Sequence, residues 1–127
     1  MKFIRAVVFL FLFFPPCLHA GREDPVAVKG VFDLRNNTDE EFVYRLLGHW
    51  EFYWNKMLHP ADVEGHHKIK PDYYGLVPSY WTDYPSDSVR TTPMGYATYR
   101  AVVLLPPGFR KIMGIDMPVF DSSYEIY

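Results

Sequence analysis

Residues Gly48-His49-Trp50-Glu51-Phe52-Tyr53-Trp54-Asn55 limit what this chain can fold into more than any other stretch. Trp50, Phe52 and Trp54 fall on one side of a two-residue period; His49, Glu51, Tyr53 and Asn55 fall on the other. Side chains alternate faces along a strand, so residues 50–55 are predicted to form a half-buried β-strand with an aromatic face. Trp50 and Trp54 could stack on a sugar ring. Their place on the apolar face assigns them instead to the core, where large aromatics dominate packing.

Further strands follow from the same reasoning. Tyr99, Ala101, Val103 and Leu105 alternate with Thr98, Arg100, Val102 and Leu104, which predicts a strand over residues 96–105, stopped by Pro106-Pro107-Gly108. Residues 30–35 read as a short extended segment. Residues 111–117 and 123–127 read as two more strands. Phe42, Tyr44 and Leu46 also alternate, and a turn followed by a strand running to Gly48 is favoured over a helix capped by Thr38 and Glu41. Pro60-Ala61-Asp62-Val63 suits one helical turn with proline at its first position. Leu76-Val77-Pro78 is a brief extended piece, and residues 81–93 form a long loop rich in Ser, Thr, Asp and Pro. Aromatic residues make up 18% of the chain and prolines number 11, a balance that favours strands and turns over long helices. The expected class is all-β, a sandwich of short strands.

The first 20 residues have the order of an export signal. Lys2 and Arg5 precede an unbroken apolar run from Ala6 to Phe14, and Leu18-His19-Ala20 places a small residue before a cut. The run is shorter than the about 20 residues that span a bilayer, so a cleaved signal is favoured over its rival, an uncleaved membrane anchor. Residues 21–29 are polar and read as a loose lead-in to a single domain over residues 30–127. Cys17, the only cysteine, would leave with the signal, so the exported chain has neither disulfide nor thiolate nucleophile. Asn36-Asn37-Thr38 matches a glycosylation acceptor, relevant only to a eukaryotic secretory route.

Chemistry-bearing patterns are sparse. A net charge of −2 with no clustered basic excess argues against a nucleic-acid partner. His66-His67 lacks a second ligand pair at metal spacing, even with His59 and Glu64 nearby, and reads as solvated loop. Asp33, Glu51, Asp116 and Asp121 are scattered with no shared acid–base motif, and Ser122-Ser123 lacks an evident base. No nucleophile elbow, His-Glu-x-x-His or P-loop occurs, so neither catalysis, a metal nor a cofactor is expected. Arg100, in mid-strand, is expected to pair with a carboxylate. Trp81 lies in a loop beside Tyr80 and Tyr84, and sandwich ligands commonly bind at loops. Trp81, Tyr80 and Tyr84 are therefore the candidate ligand-binding residues, with Tyr73 and Tyr74 ranked below them.

Five motifs occur in order: Gly30-Val31-Phe32-Asp33-Leu34-Arg35, Gly48-x-Trp50-Glu51-Phe52-Tyr53-Trp54, Val77-Pro78-x-x-Trp81, Gly95-Tyr96-Ala97-Thr98-Tyr99-Arg100 and Ser122-Ser123-Tyr124. Together they resemble the second type of extracellular sensor domain (7TMR-DISM) of bacterial seven-transmembrane receptors with diverse intracellular signalling modules. The resemblance implies a jelly-roll β-sandwich, similar to galactose-binding-like modules of β-galactosidases and glucuronidases. It implies a periplasmic location and a carbohydrate (saccharide) or related small ligand. In full-length relatives, seven membrane helices and a cytoplasmic output domain follow. His49 departs from the acidic or other polar residue usual there, and Ser79-Tyr80 replaces the usual Gly-Ser before Trp81. A jelly roll has about eight strands and about five are legible, so the expectation is a C-terminally incomplete, truncated receptor domain that meets the membrane only through absent parts. The alternatives are an accessory sugar-binding jelly roll of a secreted glycoside hydrolase and a structural envelope protein without a ligand.

Overall fold

A computed structural model describes residues 24–37, 41–64, 69–117 and 122–127. The export signal with Cys17, the Thr38 cap, His66-His67 and Asp121 lie outside the described residues.

The fold is β-rich. Its strands are β1 (Val31–Asp33), β2 (Gly48–Trp54), β3 (Tyr73–Val77), β4 (Ala97–Arg100) and β5 (Val102–Leu104). Helical structure among the described residues is one α-turn, α1 (Pro60–Val63), and one 3-10 turn, Trp81–Asp83. No helix among the described residues is long and apolar enough to cross a membrane. β2 is the centre of an antiparallel sheet in the order β3-β2-β4, and β1 pairs with β5 in parallel.

β2 exists as predicted, but both of its faces are covered. Phe52 and Tyr53 are adjacent, point to opposite faces, and are both fully buried. Trp50 and Trp54 are only partly buried and pack against two different clusters. The first cluster has Ala27, Phe32 and Leu34 at its centre, with Phe42, Tyr44, Leu46 and Trp50 around it. The second has Phe52, Tyr84 and Val89, with Trp54, Tyr73, Trp81 and Tyr99 around it. Two separate aromatic clusters thus lie along one strand, and Trp50 and Trp54 close one each.

The strand expected over residues 96–105 is divided at Ala101 into β4 and β5. The cause lies elsewhere in the chain. Gly30 donates its N–H to the His49 carbonyl at 2.8 Å and accepts from the Val102 N–H at 2.7 Å. The start of β1 therefore enters between β2 and β5, and the strand changes partner after Arg100. Lys29 and Gly30, with φ of 48° and 78°, form a two-residue turn closed by reciprocal Val28–Val31 hydrogen bonds. Both positions require a left-handed backbone, which glycine adopts at no steric cost. A side chain at position 30 would also meet Glu51 Cγ at 2.7 Å.

Three other expectations change. The lead-in is not loose: Ala27 is buried and bridges to Gly48. Phe42, Tyr44 and Leu46 do turn one side to the first cluster, while Val43 is 96% exposed, yet the ladder starts only at Gly48. Residues 111–117 and 123–127 are not strands. Extended, alternating sequence is insufficient there because no neighbouring strand supplies hydrogen bonds. α1 forms as predicted, with the His59 N–H donating to Asp62 Oδ2 at 2.8 Å.

Candidate functional site

The loop that carries Tyr80, Trp81 and Tyr84 begins where β3 ends, after a cis Val77–Pro78 peptide. Within it the 3-10 turn is closed by the Asp83 N–H to the Tyr80 carbonyl at 3.0 Å and the Tyr84 N–H to the Trp81 carbonyl at 3.2 Å. The three aromatic residues leave this turn in different directions.

Tyr84 points inward. Its ring is buried, packs edge-on against Phe52 at 5.1 Å and lies against Tyr73 at 5.3 Å. Its hydroxyl donates to the Leu76 carbonyl at 3.1 Å and lies 3.3 Å from the Tyr99 hydroxyl. Burial raises the pKa of Tyr84, and burial with the Tyr84 contact raises that of Tyr99. Both hydroxyls therefore stay neutral and serve as hydrogen-bonding groups.

Trp81 is half-buried. Its indole meets Trp54 edge-on at 5.3 Å, its Nε1–H donates to the Thr92 carbonyl at 2.9 Å, and its carbonyl accepts from Thr91 Oγ1 at 2.9 Å. Tyr80, one residue earlier, is 80% exposed. The structure thus leaves Tyr80 in solvent, half-buries Trp81 at the margin of the second cluster and sends Tyr84 into the core. Thr91 and Thr92, which hold Trp81, carry no sequence signal because their partners are a backbone carbonyl ten residues away and an indole eleven residues away. Tyr73 and Tyr74 lie on β3, with Tyr73 in the second cluster.

A second constellation lies on the opposite face of β2. Glu51 Oε2 accepts from Arg100 Nη1 at 2.8 Å and from the Tyr53 hydroxyl at 2.9 Å. The β2–β4 register sets Glu51 directly across from Arg100, which supplies the carboxylate partner expected for that arginine. Burial, followed by the hydrogen bond to Glu51, raises the pKa of Tyr53. The available signal for Tyr53 was its position two residues from Glu51, hence on the same face. A buried, paired carboxylate with a neutral phenol ties β2 to β4.

A third feature is an open groove of about 310 Å³ lined by Glu41, Phe42, Phe109, Lys111, Ile112, Met113 and Gly114. Phe109 reaches Phe42 at 6.2 Å across it. Among the described residues no group of three or more His, Cys, Asp or Glu side chains could hold a metal ion. No protein-family model, curated protein or solved structure matches the chain.

Proposed function

We propose that this chain is a non-enzymatic ligand-sensing domain of a bacterial membrane signalling receptor. In this reading it is exported, folds as a jelly-roll sandwich and takes a small saccharide or similar ligand at the Tyr80–Trp81 loop. Support comes from the five ordered motifs and from the β-rich architecture.

The observation that carries the reading is the contrast between two neighbouring aromatics. Trp81 is held by Trp54, Thr91 and Thr92, while Tyr80 beside it is 80% exposed. An anchored ring next to a free one is a preorganised stacking surface, and preorganisation lowers the entropy lost on binding. The apolar face of a sugar ring packs on such a surface while its hydroxyls stay in water.

Calorimetry against a panel of mono- and oligosaccharides tests this. Tyr80→Ala is expected to weaken the binding of the responsive sugar about tenfold or more, equivalent to roughly 1.4 kcal/mol. Its thermal stability should be unchanged, because the ring is exposed. Absence of heat with every sugar, or full affinity in Tyr80→Ala, overturns the assignment.

A further inference from the structure

β4 and β5 form one continuous sheet edge that no other strand among the described residues pairs with. β4 is the last strand of its three-stranded sheet, and β5 is an outer member of its pair. The Asn55 N–H donates to the Tyr96 carbonyl, and the β2–β4 register then places Thr98 and Arg100 toward β2. Val102 and Leu104 face β1, since Val102 donates to Gly30 and Leu104 accepts from Leu34. The backbone groups of Ala97, Tyr99, Ala101 and Val103 consequently point outward, with no backbone partner among the described residues. Every residue from 97 to 105 is only half-buried. Natural sheet edges are usually blunted by lysine, proline or a bulge, and residues 97–105 contain neither lysine nor proline.

The same chain presents a strand without a sheet. In residues 111–117, Ile112 is fully exposed, Ile115 is 66% exposed, and Met113 and Met117 are also exposed. Met113, Ile115 and Met117 fall on one side of a two-residue period, which is a strand face. This segment does not fold back on its own edge. After Pro106-Pro107, Phe109 packs toward Phe42, and residues 111–114 follow the groove beside Glu41 and Phe42.

We propose that a second copy of this chain fills the edge: residues 111–117 of each copy add as a strand along residues 97–104 of the other. The lengths agree, since seven extended residues span about 23 Å. The surfaces agree as well, because Ile112, Met113, Ile115 and Met117 meet half-buried Tyr99, Val102, Val103 and Leu104. Reciprocal addition counts both strands toward the roughly 1,200 Å² that a stable interface needs. Reciprocity gives a closed two-fold dimer in which neither edge remains open.

Sedimentation equilibrium of the exported chain tests the proposal. It should show a concentration-dependent dimer, and Ile115→Pro should raise the dimer dissociation constant at least tenfold while the far-UV circular dichroism stays that of the parent. Ile115 is exposed and outside every strand, so its replacement leaves the fold intact. Val103→Pro removes an outward N–H from the acceptor edge and should act likewise. Mixing Ile115→Pro with Val103→Pro should restore a heterodimer through the one intact donor–acceptor pair. A monomer persisting at about 100 µM, or self-association undiminished in Ile115→Pro, overturns the proposal.

Discussion

Tyr53 has its hydroxyl buried, yet the group is satisfied: it donates to Glu51, and Glu51 accepts in addition from Arg100. Removing one member of such a set leaves a charge or a dipole in a dry place. The Glu51 and Arg100 side chains are 5% and 22% exposed, so the pair lies well inside the solvent boundary. Arg100→Met should therefore destabilise the fold by about 3 kcal/mol in urea denaturation. Replacing all three members, with Glu51→Leu, Arg100→Met and Tyr53→Phe together, should return stability to within about 1 kcal/mol of the parent, because neither a buried charge nor a buried hydroxyl is then left unpaired. Asp33 behaves differently, since it is at the surface. The Arg35 side chain and backbone both donate to its carboxylate, and its pKa falls to about 2. A depressed folded-state pKa contributes stability that is present above the ordinary carboxylate range and is lost as pH falls toward 2. Carboxyl chemical shifts should place the Asp33 midpoint near 2, and Arg35→Ala should return it toward the ordinary value.

At the scale of elements, β3 owes its position to Gly75. A side chain there would collide with the Tyr84 ring, which lies flat across the strand and reaches the Leu76 carbonyl. Tyr84 cannot yield easily, because Phe52 and Tyr99 hold its other sides. Gly75→Ala should cost about 1–3 kcal/mol, the usual range for overpacking a filled core, with a matching fall in the thermal midpoint. Elements of this kind were only partly legible in the sequence. The alternation of Trp50, Phe52 and Trp54 located β2 because face assignment is local. It could not reveal that Tyr53 is equally buried, since that depends on what covers the other face. The break at Ala101 was illegible for a similar reason: it comes from Gly30, about seventy residues away, entering between two strands. Residues 111–117 have strand pattern but no ladder, because pattern selects a face and only a neighbour supplies hydrogen bonds. At the candidate site, the sequence brought Tyr80, Trp81 and Tyr84 together by proximity alone. Only geometry distinguishes the exposed Tyr80 from the anchored Trp81 and the buried Tyr84.

The described residues form two small sheets joined where Gly30 bonds to both His49 and Val102. Its two hydrophobic clusters are strung along β2 rather than merged, so β2 is the one element common to both. The parallel pairing of β1 with β5 has a consequence in time. Val31 is opposite Val102, and 102 − 31 = 71 residues separate them. A chain emerging from a ribosome or an export channel presents its first strand long before that strand's partner exists. β3 and β4 can each pair with β2 while β1 waits, and the first cluster closes only when Val103 and Leu105 arrive. Closing so distant a contact is slow compared with hairpin formation. During synthesis, Phe32 and Leu34 wait for neighbours made some seventy residues later, and among the described strands the first to be made is the last to find its partner.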